Sequence, residues 1–166
     1  MTMRTAMLVI GLALAGCSDP LDFCQSCLKG DPVLAVPKGD IAKIAMVYSG
    51  RKLPPSSTNV YYHEVGGPDH QQWIRFDAPL ADARAFADSL LLAPLVKSAA
   101  PPQSSQFSVP SKSMPWWPAR FPDGVETSTN DINDANYADG AKGKPMTIIF
   151  QPGTPNARVW IFAFSM

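Results

Sequence analysis

Residues 59–92 read NVYYHEVGGPDHQQWIRFDAPLADARAFADSLLL, and this stretch decides the fold. Asn59 to Val65 alternates, with Val60, Tyr62 and Glu64 on one face and Tyr61, His63 and Val65 on the other, the period of a half-buried strand. Gly66-Gly67-Pro68-Asp69 is a turn signal. Gln71 to Phe76 returns as a strand, with Ile74 and Phe76 opposite Trp73 and Arg75, so the two runs predict an antiparallel hairpin. Asp77-Ala78-Pro79 then reads as a helix start, with Asp77 as cap and Pro79 in the first turn. Leu80, Ala83, Ala87, Leu90 and Leu91 recur at helical spacing with Phe86 on the flank, while Asp82, Arg84 and Asp88 face outward. The spacing predicts one amphipathic helix over Pro79 to Leu92, stopped before Pro94, with Phe86 and Leu90 in its core.

Working outward, Ile41 to Tyr48 is a β-rich apolar run closed by Ser49-Gly50, read as a first strand. Met146 to Phe150 and Arg158 to Phe164 close the chain as two strands joined by Pro152-Gly153-Thr154-Pro155-Asn156. The last carries Val159, Ile161 and Ala163 on one face and Trp160, Phe162 and Phe164 on the other, which predicts a central or covered strand. Strand runs on both sides of a single helix, without βαβ alternation, predict an α+β fold. The expected architecture is a mostly antiparallel sheet of about five strands with one packed amphipathic helix, in one globular domain over residues 41–166. A long loop at about 94–144 interrupts it, holding the Ser/Pro/Gln stretch Ser98 to Ser113, then Pro115-Trp116-Trp117-Pro118, with a short helix read near Asp131 to Ala138. Seventeen prolines among 166 residues, clustered between the periodic runs, fit long ordered loops.

The N-terminus has its own logic. Arg4 precedes the apolar run Ala6 to Ala15, about half the length a spanning helix needs, and small residues follow. Leu14-Ala15-Gly16-Cys17 resembles the lipobox of bacterial lipoproteins. The resemblance implies a signal peptide over residues 1–16, a diacylglyceryl group (with palmitate-type acyl chains) on the Cys17 thiol, and a mature chain starting there. Ser18 after the lipidated cysteine resembles an outer-membrane sorting signal, placing the protein on the periplasmic side if the source is Gram-negative. Residues 17–40, rich in Pro, Asp and Gly, read as a tether. Leu53-Pro54-Pro55-Ser56, Asn59 to Tyr62, Arg75 to Pro79 and Phe86 are similar to a layout in uncharacterised small secreted bacterial proteins. That likeness implies no activity and transfers no functional residue.

Charge narrows the partners. Cleavage before Cys17 leaves 13 basic and 14 acidic side chains, which argues against nucleic acid, and no polybasic run offers electrostatic membrane binding. The membrane is reached through lipidated Cys17, and an envelope protein or cell-wall component is the other partner class. Cys24 and Cys27 form a Cys-x-x-Cys pair in an oxidising compartment, read as a local disulfide or idle thiols; no surrounding βαβ unit supports a redox site. His63, Glu64, Asp69 and His70 flank the predicted hairpin and carry the rival reading, an envelope enzyme or metal-binding protein. No Gly-x-Ser-x-Gly or phosphate-binding glycine pattern accompanies them, and neither a cofactor nor a resident metal is expected. Trp116 and Trp117 between prolines are read either as core plugs or as an apolar platform for a partner. The sequence favours a lipid-anchored, non-catalytic binding module of the envelope that uses this tryptophan loop.

Overall fold

The computed structural model describes residues 28–29, 32–46, 49–66, 70–107, 114–131 and 145–164. Its strands are β1 (Leu28–Lys29), β2 (Thr58–Val65), β3 (Gln71–Pro79), β4 (Val96–Lys97), β5 (Glu126–Asn130), β6 (Met146–Gln151) and β7 (Asn156–Phe164). One α-helix, α1 (Leu80–Leu90), accompanies them among the described residues. The strands form one sheet in the order β1-β2-β3-β7-β6-β5-β4, antiparallel throughout. The α+β expectation holds at this level. The sheet has seven strands instead of about five, and its two outermost members are two residues long.

β3 and β7 pair over nine residues, from Gln71↔Phe164 to Pro79↔Asn156, and form the middle of the sheet. This explains the apolar residues on both faces of β7: neither face meets water. On one face α1 packs through Ala83, Phe86, Ala87 and Leu90 onto Ile74, Phe76, Ile148, Val159 and Ile161, all buried. The Phe76 and Phe86 rings meet edge-on at 5.6 Å. Leu90→Ala here costs about 2–5 kcal/mol, the lost transfer free energy plus the cavity it leaves. On the opposite face Trp73, Ile149, Trp160 and Phe162 are covered by Phe107, Met114, Trp116, Trp117, Phe121 and Val125 of the long connection. The molecule is therefore layered as helix, sheet and aromatic loop.

Three expectations are corrected. Ile41 to Met46, the described part of the run expected as a strand over Ile41 to Tyr48, does not form one; Val47 and Tyr48 lie outside the described residues. Pro37, Gly39 and Asp40 lead the chain into a 3-10 turn, Lys38–Lys43, and Ala45 makes only an isolated bridge to Lys52. Asp77 does not cap α1; the N-cap is Pro79, without a side-chain bond, because Asp77 is still in β3 and paired with Arg158. β5, with sequence ETSTN, had no apolar alternation to announce it. It is held by polar bonds instead: Asn130 donates from Nδ2 to the Leu90 carbonyl at 2.9 Å and accepts the Leu92 N–H at 2.9 Å, closing the C-terminus of α1. The Arg84 guanidinium ties the helix to Glu126 of β5 and lies 4.4 Å over the Phe150 ring.

The folded body also begins before residue 41. β1 pairs with β2 through Leu28↔Val65 and Lys29↔Glu64, and the Val36 N–H donates to the Val60 carbonyl at 2.7 Å. The expected signal peptide over residues 1–16, Cys17, Cys24, Cys27, Asp69 and all but the first residue of the helix expected at Asp131 to Ala138 lie outside the described residues.

Candidate functional site

A groove of about 600 Å³ lies beside β2, a volume within the usual range for small-ligand sites. Its walls come from residues 34–37 and from Ile44 and Ala45; Tyr62 and Glu64 form its floor. The local sequence builds it step by step. Pro37 favours extended backbone at Val36, whose N–H donates to the Val60 carbonyl and pins the segment against β2. The 3-10 turn folds back through Asp40 N–H to Pro37 O at 2.8 Å and Ile44 N–H to Ile41 O at 3.1 Å. Met46 N–H to Arg51 O at 2.7 Å closes a small hairpin, in which Gly50 takes φ +64°, a conformation that favours glycine. At the rim Lys43 Nζ donates to Asp40 at 2.5 Å, and this hydrogen bond and charge hold its ammonium pKa above the usual range.

Glu64 of the groove lining has its Oε1 2.8 Å from His70 Nε2, with the Glu64 carboxylate buried. The sequence placed these two with His63, and the structure separates them. His63 projects from the other face of β2, is 7% exposed, and stacks on Trp73 at 5.8 Å; its Nδ1 has no hydrogen-bond partner among the described residues. Successive residues of a strand point to opposite sides of the sheet, so His63 and Glu64 cannot share a site on β2. The cluster expected from His63, Glu64, Asp69 and His70 is thus divided by the sheet. Among the described residues no three His, Cys, Asp or Glu side chains gather where a metal ion could bind.

Trp116 and Trp117 are not a surface platform. They are 6% and 4% exposed. Trp116 Nε1 donates to the Pro32 carbonyl at 2.6 Å and its ring stacks on Tyr61 at 5.6 Å. Trp117 meets Phe107 and Phe121 edge-on at 5.8 and 5.6 Å. Trp73 Nε1 reaches the Phe107 carbonyl at 3.2 Å and Trp160 Nε1 the Trp116 carbonyl at 3.4 Å, so these two indole N–H groups fasten the loop to the sheet, while Trp117 Nε1 has no hydrogen-bond partner among the described residues.

Comparison with protein-family models, curated proteins and solved structures finds no match to this chain.

Sequence reasoning missed one further polar cluster. Arg158 grips Asp77 with Nε at 2.7 Å and Nη2 at 3.0 Å, and Asn59, at φ +48° in the β2 bulge, adds Nδ2 at 3.0 Å. Burial pushes the Asp77 carboxyl up. The Arg158 and Asn59 hydrogen bonds and the charges of Arg158 and Arg75 outweigh it and leave the pKa below the usual carboxylate range. Arg75 is pushed down by burial and by Arg158, and its guanidinium lies 5.0 Å over the Tyr61 ring. Asp77 and Arg158 border a polar cleft of about 330 Å³ at the β6–β7 turn. Both carboxylate oxygens of Asp77 are engaged, so the cluster locks β2, β3 and β7 together. The available signal was charge on the inward parity: Arg75 and Asp77 alternate with Phe76, and Arg158 shares the parity of Trp160.

Proposed function

We propose that this protein is a lipid-anchored module of the bacterial envelope, tethered through Cys17, that binds an apolar partner or ligand without catalysing a reaction. The motif Leu14-Ala15-Gly16-Cys17 supports the anchor. The groove beside β2 carries the binding reading: its walls are mostly aliphatic, it opens to solvent, and it lies at the sheet edge where the chain arrives from the tether. Recognition there rests on apolar contact, with Glu64, paired to His70, and the Asp40–Lys43 pair also in the lining. The buried tryptophans of the loop are support for the fold, so the binding surface belongs to the groove and not to that loop.

Two measurements test this. Labelled fatty acid should enter the wild-type protein and not Cys17→Ser; equal labelling contradicts the anchor. A fluorescent apolar probe of the anilinonaphthalene type should bind the lipidated protein at one site. Ala45→Trp, which places a ring in the groove, should abolish that binding while circular dichroism stays unchanged. Undiminished binding by the folded Ala45→Trp variant contradicts the groove.

A further inference from the structure

Around the groove the chain distributes charge unevenly. Residues 32–52 carry four basic side chains, Lys38, Lys43, Arg51 and Lys52, and one acidic, Asp40; the rest of the chain carries ten basic and thirteen acidic. Sequence order hides this, because the cations are spread over fifteen positions. Folding gathers them into one lobe: the 3-10 turn holds Lys38 and Lys43, and the hairpin through Ala45↔Lys52 brings Arg51 and Lys52 back beside it. All four are exposed. Asp40, the lobe's one carboxylate, is taken by Lys43.

The same lobe shows apolar surface. Val33 is 52% and Leu34 64% exposed, adjacent residues among the few large hydrophobic side chains that reach solvent, and Leu34 stands at the groove mouth. Cations around protruding aliphatic side chains are what an interfacial membrane contact requires: attraction to anionic headgroups together with burial of apolar surface at the acyl boundary. Covalent geometry adds reach. Ten residues lie between Cys17 and Leu28, so Cys17 lies within about 40 Å of β1, whose partner β2 forms the groove floor.

We propose that residues 32–46 and 49–52 form the face this protein lays against an anionic phospholipid surface, with Val33 and Leu34 at the acyl boundary and Lys38, Arg51 and Lys52 on the headgroups. This deepens the lipoprotein reading and rests on it for the tether, while the surface itself needs no lipid on Cys17.

The test is hydrogen exchange of the full lipidated protein on vesicles. On phosphatidylglycerol–phosphatidylethanolamine vesicles, amides of residues 33–46 should exchange more slowly than on phosphatidylcholine vesicles. The protection should vanish near 1 M salt, where the screening length falls to about 3 Å. Lys52→Gln should weaken the anionic-vesicle contact about five-fold, and the combined Lys38→Glu, Arg51→Glu, Lys52→Glu variant should abolish it with the melting temperature unchanged. Leu34→Ser should weaken the contact and keep its salt dependence. Equal exchange on both vesicle types, protection that survives the triple variant, or protection confined to another part of the molecule would overturn the proposal. Mass measurement at Cys17 separates it from the anchor: a protected lobe without lipid sinks the anchor alone, and lipid without a protected lobe sinks the surface alone.

Discussion

The two faces of the sheet are equally buried and differently made. The helix face is closed by α1, an element whose own periodicity matches the strand pattern beneath it. The other face is closed by a connection with almost no regular structure, whose rings Phe107, Trp116 and Phe121 meet Phe162, Tyr61 and Trp160 of the sheet, with Trp117 edge-on against Phe107 and Phe121. A long irregular loop inside a compact domain usually marks function or mobility. Here it is a layer of the core, fastened by indole N–H bonds to backbone carbonyls. The comparison teaches that a Trp-Trp pair in a proline-rich loop can be cement.

The largest expected effect sharpens that contrast. Trp117→Ala should destabilise the protein by about 3–5 kcal/mol in denaturant unfolding, at least as much as Leu90→Ala on the helix face at about 2–5 kcal/mol. If Trp117→Ala leaves the midpoint in place while Leu90→Ala shifts it, the loop is not a core layer and the two faces are not equivalent.

Next in size is the polar lock at the margin of the loop face. Asp77→Asn should cost about 1–3 kcal/mol near neutral pH, reduced from a fully buried pair because Arg158 is partly exposed. The folded carboxyl titrates below its unfolded value, so its contribution is present above the unfolded pKa near 4 and is lost as pH falls through the folded pKa. Wild-type stability should therefore drop as pH falls below about 4, and Asp77→Asn should flatten that part of the curve. An unchanged acid slope would contradict the lock.

Asn130→Ala should cost about 1–2 kcal/mol, because it leaves the buried Leu90 carbonyl and Leu92 N–H without their partner. The smallest effect is on the outer flank of α1. Glu126→Gln should change stability by no more than about 1 kcal/mol, since the pair with Arg84 is partly solvated, and added salt should shrink the difference further.

Legibility followed periodicity. The hairpin of β2 and β3, the helix and the closing strands could be read from residues 59–92 and 146–164, because burial on one side imposes a period of two or 3.6. β5 could not, because its buried Ser128 and Asn130 are satisfied by hydrogen bonds to Ala93 and to Leu90 and Leu92, and polar satisfaction leaves no hydrophobic rhythm. Ile41 to Tyr48 misled for the opposite reason: Ile44 and Met46 are buried at strand spacing, but Pro37, Gly39 and Asp40 set a turn before them, and among the described residues only an isolated bridge, Ala45 to Lys52, forms there. At the candidate site, Glu64 and His70 were found together, while strand parity, already visible in the sequence, separated His63 from them. The groove was hidden because its walls come from a segment read as tether.

Iodide quenching of native fluorescence tests the central claim most directly. All four tryptophans, Trp73, Trp116, Trp117 and Trp160, belong to the loop-face cluster, and none is more than 6% exposed. If the loop is a core layer, iodide leaves the native emission essentially unquenched and gains access only as the protein unfolds. A substantial fraction of native emission quenched by iodide would place Trp116 or Trp117 at the surface and contradict the account.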